Sequence, residues 1–159
     1  MDIYLVVLRL IHIVAAFVWF GSGFYASLIL FPSLIKMGTE ASKLLVELAK
    51  NRVFGLVFPI SGMVTVVAGI LLYVKPGASS HFSNAGWAAI SIGAVAGILA
   101  AGHGGATLGR MTSEYIQKAG AGVSAGELTA LGQKLTLHAN ISMALLVIAM
   151  LGMEVARYI

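Results

Sequence analysis

The chain has 159 residues, of which 59% are hydrophobic and only 10% are charged. Soluble domains carry about a quarter of their residues as charge, so this composition excludes a soluble protein and predicts one that lies in a bilayer. Cysteine is absent, which excludes disulfides, thiolate metal sites and thiol catalysis. The net charge of +4 is accounted for by basic residues that flank membrane spans, and we do not expect nucleic acid as a partner.

Four stretches of the chain contain no charged residue, and each is long enough to cross a membrane once. They are residues 10–35, 53–74, 76–109 and 135–153. A helix needs about 20 apolar residues to cross a hydrocarbon core about 30 Å thick. We therefore predict one all-α domain over residues 1–159, an integral membrane bundle of four transmembrane helices. The spans are predicted at about residues 3–31, 53–74, 86–109 and 130–157.

Basic residues are divided unequally between the two ends of this predicted bundle. Seven lie in or beside the connections that follow the first and third spans: Lys36, Lys43, Lys50, Arg52, Arg110, Lys118 and Lys134. Arg9, Lys75 and Arg157 lie at the other end. Because cytoplasmic loops are enriched in Lys and Arg, we expect these two connections in the cytoplasm and both termini outside.

The connection after the first span is predicted to contain a short amphipathic helix that begins at about Thr39. Glu40 with Lys43, and Glu47 with Lys50, are spaced for ion pairs along one helix. The apolar residues of this segment form a stripe: Ala41, Leu44, Leu45 and Leu48. Such a helix is expected to lie at the cytoplasmic interface of the membrane.

Proline, glycine and serine mark further boundaries along the chain. Pro32 predicts a break or kink at the end of the first span, and Pro59 predicts a kink inside the second. Residues 120–122 predict a turn. Ser124 and Glu127 have the spacing of a capping box, so the fourth helix is expected to begin there, outside the membrane.

The third span carries small residues at a four-residue spacing: Gly93, Gly97, Ala101, Gly105 and Gly109. Such a stripe lets another helix, or a flat cofactor, approach the backbone closely. Both interpretations remain open from the sequence.

Three of the four histidines, His12, His103 and His138, lie inside predicted spans. Ionisable residues are rare there unless they have a function, and neutral imidazole is a common metal ligand. His81, in the outer loop, is expected to be solvated. At about 1.5 Å rise per residue, His103 and His138 lie about 8 and 9 Å on the cytoplasmic side of the midplane, whereas His12 lies about 6 Å on the outer side.

Because the third and fourth helices are expected to be antiparallel neighbours, His103 and His138 are predicted to face each other. They are candidates to share a metal ion or the iron of a haem, and the glycines around His103 leave room for a porphyrin. The alternative is a hydrogen bond between two helices that serves packing alone.

His12 shares a helix face with Arg9, one turn further out. Arg9 is a candidate to bind a haem propionate while His12 binds iron, either in a second site or in a five-coordinate one. The alternative is an arginine that reaches the headgroups and a histidine paired with a backbone carbonyl.

Three of the spans carry residues that resemble those of known families: residues 8–13 with Trp19, Gly23, Phe24 and Tyr25 in the first, Pro59 with Gly69 in the second, and His103 followed by Gly104, Leu108 and Arg110 in the third. The first two sets resemble HemJ-type protoporphyrinogen oxidases and CopD-like copper-resistance proteins, and the third resembles the HemJ type. The resemblance implies a four-helix protein of the bacterial inner (cytoplasmic) membrane that binds haem b, with His12 and His103 as ligands. Ser27 and Leu28 stand where HemJ proteins have a Pro-Arg pair.

These observations give three expectations for function. The first is a membrane redox protein with one or two haems b that passes electrons from a quinol or porphyrinogen to an acceptor. His103 and His138 are expected to bind one iron, His12 a second or alternative iron, and Arg9 a propionate. The second is a copper-handling membrane protein that uses the same histidines with some methionines. The third is a structural or assembly subunit, which forms a homo-oligomer or part of a membrane complex. The sequence identifies no catalytic residue.

Overall fold

A computed structural model describes residues 2–159, except the side chains of Thr39, Ala41 and Ser42. Within this range the chain is helical and contains no β-strand. The α-helices are α1 (Ile3–Tyr25), α2 (Phe31–Met37), α3 (Thr39–Ala49), α4 (Arg52–Tyr73), α5 (Asn84–His103), α6 (Gly109–Gly120) and α7 (Ala125–Val155). Two π-helical segments, Ala26–Leu30 and Gly104–Leu108, join α1 to α2 and α5 to α6.

Four helical spans are long and apolar enough to cross a membrane, which confirms the predicted all-α class and the number of spans. They are Ile3–Met37, Arg52–Tyr73, Asn84–Gly120 and Ala125–Val155. At 1.5 Å per residue, the first span of 35 residues is about 52 Å long, well beyond a hydrocarbon core of about 30 Å. The first, third and fourth spans therefore extend past the second at one end of the bundle.

Both chain termini lie at the same end of the bundle. Lys75, in the connection after α4, donates a hydrogen bond to the Asp2 carboxylate. The Ser83 hydroxyl, just before α5, donates to the main-chain oxygen of Ile159 at 2.6 Å. We call this the terminal end, and we call the opposite end, which carries residues 38–51 and 121–124, the basic end.

The four spans pack as two antiparallel hairpins, α1 with α4 and α5 with α7. The backbones of α5 and α7 approach closely because each helix has a glycine in contact with the backbone of the other. A Cβ atom added at Gly93 would lie 2.9 Å from the Ala149 carbonyl oxygen, and one added at Gly152 would lie 2.7 Å from the Ala89 carbonyl oxygen. The third and fourth spans are thus antiparallel neighbours, as predicted.

The predicted small-residue stripe of the third span divides into two parts. Gly93 and Gly97 face α7, with Ala149 as a neighbour of both. Gly105 has no atom within 4 Å of an added Cβ, and Gly109 meets only the carbonyl oxygen of Gly104. Helix packing therefore uses the half of the stripe nearer the terminal end and leaves the other half open.

At the basic end the extended helices share an apolar core. Its buried residues are Ala26, Leu30, Phe31, Leu34, Leu45, Tyr115, Leu128, Leu135 and Ala139. Leu45 is 0% exposed and anchors α3, which packs against α6. This short helix is therefore present where the sequence predicts it; its position at a membrane interface stays a prediction.

Both ion pairs predicted at a three-residue spacing along α3 are found. Lys43 contacts Glu40 at 2.8 Å and Lys50 contacts Glu47 at 2.6 Å, as expected. Leu44 lies on the predicted apolar stripe but is half-exposed, and the side chain of Ala41 lies outside the described part of the structure.

The helices of the first and third spans continue beyond the predicted span ends. The first span does not break at Pro32: the N–H of Phe31 donates to the carbonyl of Ala26, a wider π turn directly before the proline, and the helix runs on to Met37. Pro32 thus lies in the first turn of α2, where a residue without an N–H is tolerated, and the π turn before it is a local bulge in the helix. The third span likewise passes through Gly104–Leu108 and ends at Gly120.

The remaining predicted boundaries agree with the structure. Gly122 has a positive φ of 72° in the turn after α6. The Ser124 hydroxyl oxygen accepts a hydrogen bond from the N–H of Glu127 at 3.3 Å, as in a capping box. The Glu127 carboxylate pairs with Lys118 at 2.7 Å. α4 is continuous through Pro59, and the kink predicted there stays a prediction.

Candidate functional site

His103 and His138 meet at the interface between α5 and α7. His103 is the last residue of α5, and His138 lies in the middle of α7. Nε2 of His103 lies 3.1 Å from Nδ1 of His138. The ring centroids are 5.2 Å apart and the ring planes are inclined by 34°. The structure thus brings together the two histidines that the depth estimate places at one level, in direct hydrogen-bond contact.

Ser142 extends this contact into a chain of three groups. Its hydroxyl lies 2.7 Å from Nδ1 of His103, and the residue is only 7% exposed. Since Ser142 follows His138 by four residues on α7, both side chains lie on the same helix face. Both nitrogens of His103 are therefore engaged, whereas Nε2 of His138 has no hydrogen-bond partner among residues 2–159.

The chain of hydrogen bonds has two possible directions when both rings are neutral. In the first, Ser142 donates to His103 and His103 donates to His138, which leaves the proton of His138 on Nε2. In the second, His138 Nδ1 donates to His103 Nε2, and His103 Nδ1 donates to the Ser142 oxygen. Only the second direction leaves a lone pair on Nε2 of His138, the form that binds a metal.

The segment around His103 leaves the helix backbone open. Gly102, Gly104 and Gly105, next to His103 in sequence, have no atom within 4 Å of an added Cβ. Ala100, one turn before His103, belongs instead to a buried apolar cluster with Trp19 and Leu146. The glycine segment therefore offers an uncovered surface to a flat group.

His12 lies at a different interface, between α1 and α4. Its Nδ1 is 2.9 Å from the carbonyl oxygen of Thr65. Because a carbonyl only accepts, Nδ1 carries the proton and Nε2 carries the lone pair. The ring rests on Gly69, where an added Cβ would lie 2.9 Å from Cε1 of His12. This is the pairing with a backbone carbonyl that the sequence leaves open, and it still leaves one nitrogen free.

Both free Nε2 atoms, of His12 and His138, are accessible. Within the described residues, no side-chain nitrogen or oxygen is fully buried without a hydrogen-bond partner, so an unpartnered ring nitrogen must reach the protein surface or a cavity.

Arg9 is exposed one turn from His12, and His81 is exposed in the loop, as expected. No three His, Cys, Asp or Glu side chains in residues 2–159 form a metal-binding group.

Ser142 is the member of the site that sequence reasoning missed. Two other polar residues of α7, Thr136 and Asn140, lie closer to His138 in the sequence but are not hydrogen-bonded to it in the part of the chain that the structure describes. The Thr136 hydroxyl donates to the carbonyl of Gly132 in its own helix at 2.9 Å, and Asn140 is exposed. The four-residue spacing between His138 and Ser142 is the only signal in the sequence that points to Ser142.

Comparison of the chain with known protein families, curated proteins and solved structures finds no match. The function is therefore inferred from the contacts of the histidines.

Proposed function

We propose that the protein is a membrane-embedded b-type haem protein that transfers electrons between a membrane reductant, a quinol or a porphyrinogen, and an acceptor. One observation carries the proposal: Nδ1 of His138 is held by His103 while its Nε2 is accessible and unpartnered. Histidines that bind metals usually make this kind of bond through the other ring nitrogen, which fixes the tautomer and the ring orientation.

The contact between the two rings bears on which nitrogen takes the iron. Two nitrogens that bind one metal ion from opposite sides, each at a bond length of about 2 Å, would lie about 4 Å apart. Nε2 of His103 and Nδ1 of His138 are 3.1 Å apart, so they would have to separate before an iron fits between them. We therefore assign His138 as the ligand through Nε2, and His103 as the residue that orients it.

His12 supports a second or alternative iron position. Its Nδ1 is tied to the Thr65 carbonyl at 2.9 Å and its Nε2 is free, the same pattern as in His138. Arg9 is exposed one turn away, and a guanidinium binds a carboxylate such as a propionate in bidentate fashion. When bound, haem supplies a one-electron redox centre; the residues of this chain bind it, orient it and exclude water.

The first experiment is an absorption spectrum of the purified protein, oxidised and then reduced with dithionite, after expression with adequate haem. We expect a Soret band and a shift on reduction. Absence of a Soret band would refute the proposal. Copper without porphyrin in a metal analysis would refute it as well and would favour the copper-handling alternative.

His138→Asn separates a ligand from a packing residue. The Asn amide occupies the position of Nδ1 and keeps a hydrogen-bonding group toward His103, but it has no atom in the position of Nε2. We expect unchanged helicity and loss of the haem spectrum. His103→Ala should retain haem with affinity about 10–100-fold lower, as for other residues that orient a ligand. His81→Ala, in the exposed loop, is the control. A spectrum unaltered in both His138→Asn and His103→Ala would reject the site.

We also propose that the basic end faces the cytoplasm of the bacterial inner membrane. The seven basic residues at that end support this orientation. Because the chain contains no cysteine, single substitutions Ser80→Cys and Gln117→Cys, both at exposed positions, report one end each. A membrane-impermeant maleimide added to intact spheroplasts should label Ser80→Cys alone. Labelling of Gln117→Cys alone would reverse the orientation.

A further inference from the structure

An open apolar groove of about 750 Å³ runs between α1 and α4, away from the histidine pair. We call it the α1–α4 groove. Most of its lining side chains are branched and aliphatic, among them Leu10, Val14 and Val18 of α1 and Leu56, Ile60 and Val64 of α4. Several are far more exposed than core residues, with Val14 at 62% and Ile60 at 48%. In a bilayer this groove faces hydrocarbon.

Arg52 is the only charged residue that lines the groove. It is the first residue of α4, it is exposed, and it makes no ion pair with any residue in the described part of the chain. Along α4, the twelve residue steps from Arg52 to Val64 cover about 18 Å, slightly more than half of a hydrocarbon core of about 30 Å. Along α4 the groove therefore covers more than half the depth of the hydrocarbon core, with a cation at its basic end.

The lining argues against another helix as the occupant. Helices that pack in lipid approach through small residues, as α5 and α7 do through Gly93 and Gly152. The groove instead presents leucine, isoleucine and valine, with Ala15 as its only small apolar residue. A flexible alkyl chain adapts to such a surface, and a rigid helix backbone does not come close to it.

We propose that the α1–α4 groove binds one anionic phospholipid, with an acyl chain along the groove and the phosphate at the Arg52 guanidinium. Such a lipid matches the two properties of the groove. Its acyl chain is apolar, like the lining, and its phosphate carries the charge opposite to that of Arg52. Guanidinium groups bind phosphate oxygens through charge-assisted hydrogen bonds, and basic sites between spans recognise lipid headgroups. This proposal is independent of haem binding.

The test is native mass spectrometry of the full-length protein in detergent, with phosphatidylglycerol or phosphatidylcholine of the same acyl chains added. We expect one phosphatidylglycerol to be retained per chain and phosphatidylcholine to bind at least about tenfold more weakly, because its choline cation offsets the charge of the phosphate that the Arg52 guanidinium would bind. Arg52→Ala should abolish this preference. Leu56→Phe, which fills the groove without changing charge, should weaken the binding of both lipids.

Matched controls lie outside the groove. Arg110→Ala removes another exposed arginine at the same end, and Val95→Phe enlarges an exposed valine of α5; both should leave lipid retention unchanged. Equal retention of the two lipids by the native chain would overturn the proposal. So would equal losses in Arg52→Ala and Arg110→Ala. A dimer that Leu56→Phe dissociates while lipid retention stays constant would show that a second copy occupies the groove, and would overturn it too.

Discussion

Gly93→Ala tests whether α5 and α7 are held as close together as the histidine contact requires. A Cβ at this position would lie 2.9 Å from the Ala149 carbonyl oxygen, against 3.4 Å or more for ordinary contact. The Ala149 carbonyl belongs to the backbone, so a change of side-chain rotamer does not relieve this contact. α7 must therefore move by about 0.5 Å. Gly97 is one turn away on the same stripe, and there the nearest atom to an added Cβ is Ala149 Cβ at 3.8 Å.

The two substitutions differ in packing alone, because each replaces a helical glycine by alanine and gains the same helix propensity. Alanine favours the helix over glycine by about 0.5–1 kcal/mol, a gain that cancels in the comparison. Overpacking costs about 1–3 kcal/mol, so we expect Gly93→Ala to be less stable than Gly97→Ala by that amount. The free energies of unfolding are measured by far-UV circular dichroism in mixed micelles as the denaturing detergent is increased. Equal stability of the two variants would refute the close approach of α5 and α7.

Three further predictions concern the basic end, the terminal end and the histidine pair. Leu45→Ala should destabilise the protein by about 2–5 kcal/mol and increase hydrogen exchange in α3 and α6, because Leu45 is 0% exposed; Leu44→Ala, at a half-exposed position, should not. The hydrogen bond from Lys75 holds the pKa of Asp2 below its ordinary value of 3.8, so the link persists above pH 3.8 and is lost as the pH falls through the lowered pKa. Carboxyl NMR should show Lys75→Ala returning the Asp2 pKa toward 3.8, and an unchanged titration would contradict the contact. Ser142→Ala should retain haem but shift its reduction potential, since it frees Nδ1 of His103 and loosens the orientation of His138; Ser22→Ala, whose hydroxyl bonds only to its own helix, is the control.

The uncharged stretches predict how many times the chain crosses the membrane, but they do not predict where the helices end. Lys36 and Arg110 bound two of those stretches, yet both lie inside continuous helices. A charge marks where a helix leaves hydrocarbon, and the backbone hydrogen bonds continue in water as long as the helix has something to pack against. Here the continuation is stabilised by the core around Leu45 and Tyr115. That core depends on contacts between segments that are distant in the sequence, and the distribution of charged residues along the chain does not predict such contacts.

The contact between His103 and His138 was predictable from the sequence, with a hydrogen bond between the two helices as one of its two alternatives, but the third member of the site was not. Counting residues from the helix centres is enough to pair His103 with His138, because antiparallel neighbours of known length have a nearly fixed register. Ser142 escapes the same reasoning because a serine in a span usually satisfies its hydroxyl on its own helix. The Ser22 and Thr65 hydroxyls do so, donating to Val18 and Ser61 carbonyls at 2.7 Å. Only the packing of α5 on α7 determines which hydroxyl has a partner across the interface.

The hydrogen bonds of polar side chains within the spans distinguish residues that serve packing from residues that are available to a ligand. A polar group in hydrocarbon is costly unless it is paired, and a hydroxyl bonded to its own helix meets that requirement without involving a neighbour. His12 and His138 each follow a different pattern, with one nitrogen fixed by the protein and the other left unpartnered but accessible. For packing alone, a smaller side chain with a single hydrogen bond would serve as well and leave nothing exposed. Packing does not require the free nitrogen, whereas a ligand does, and this is the reason we propose Nε2 of these two residues as the iron ligands.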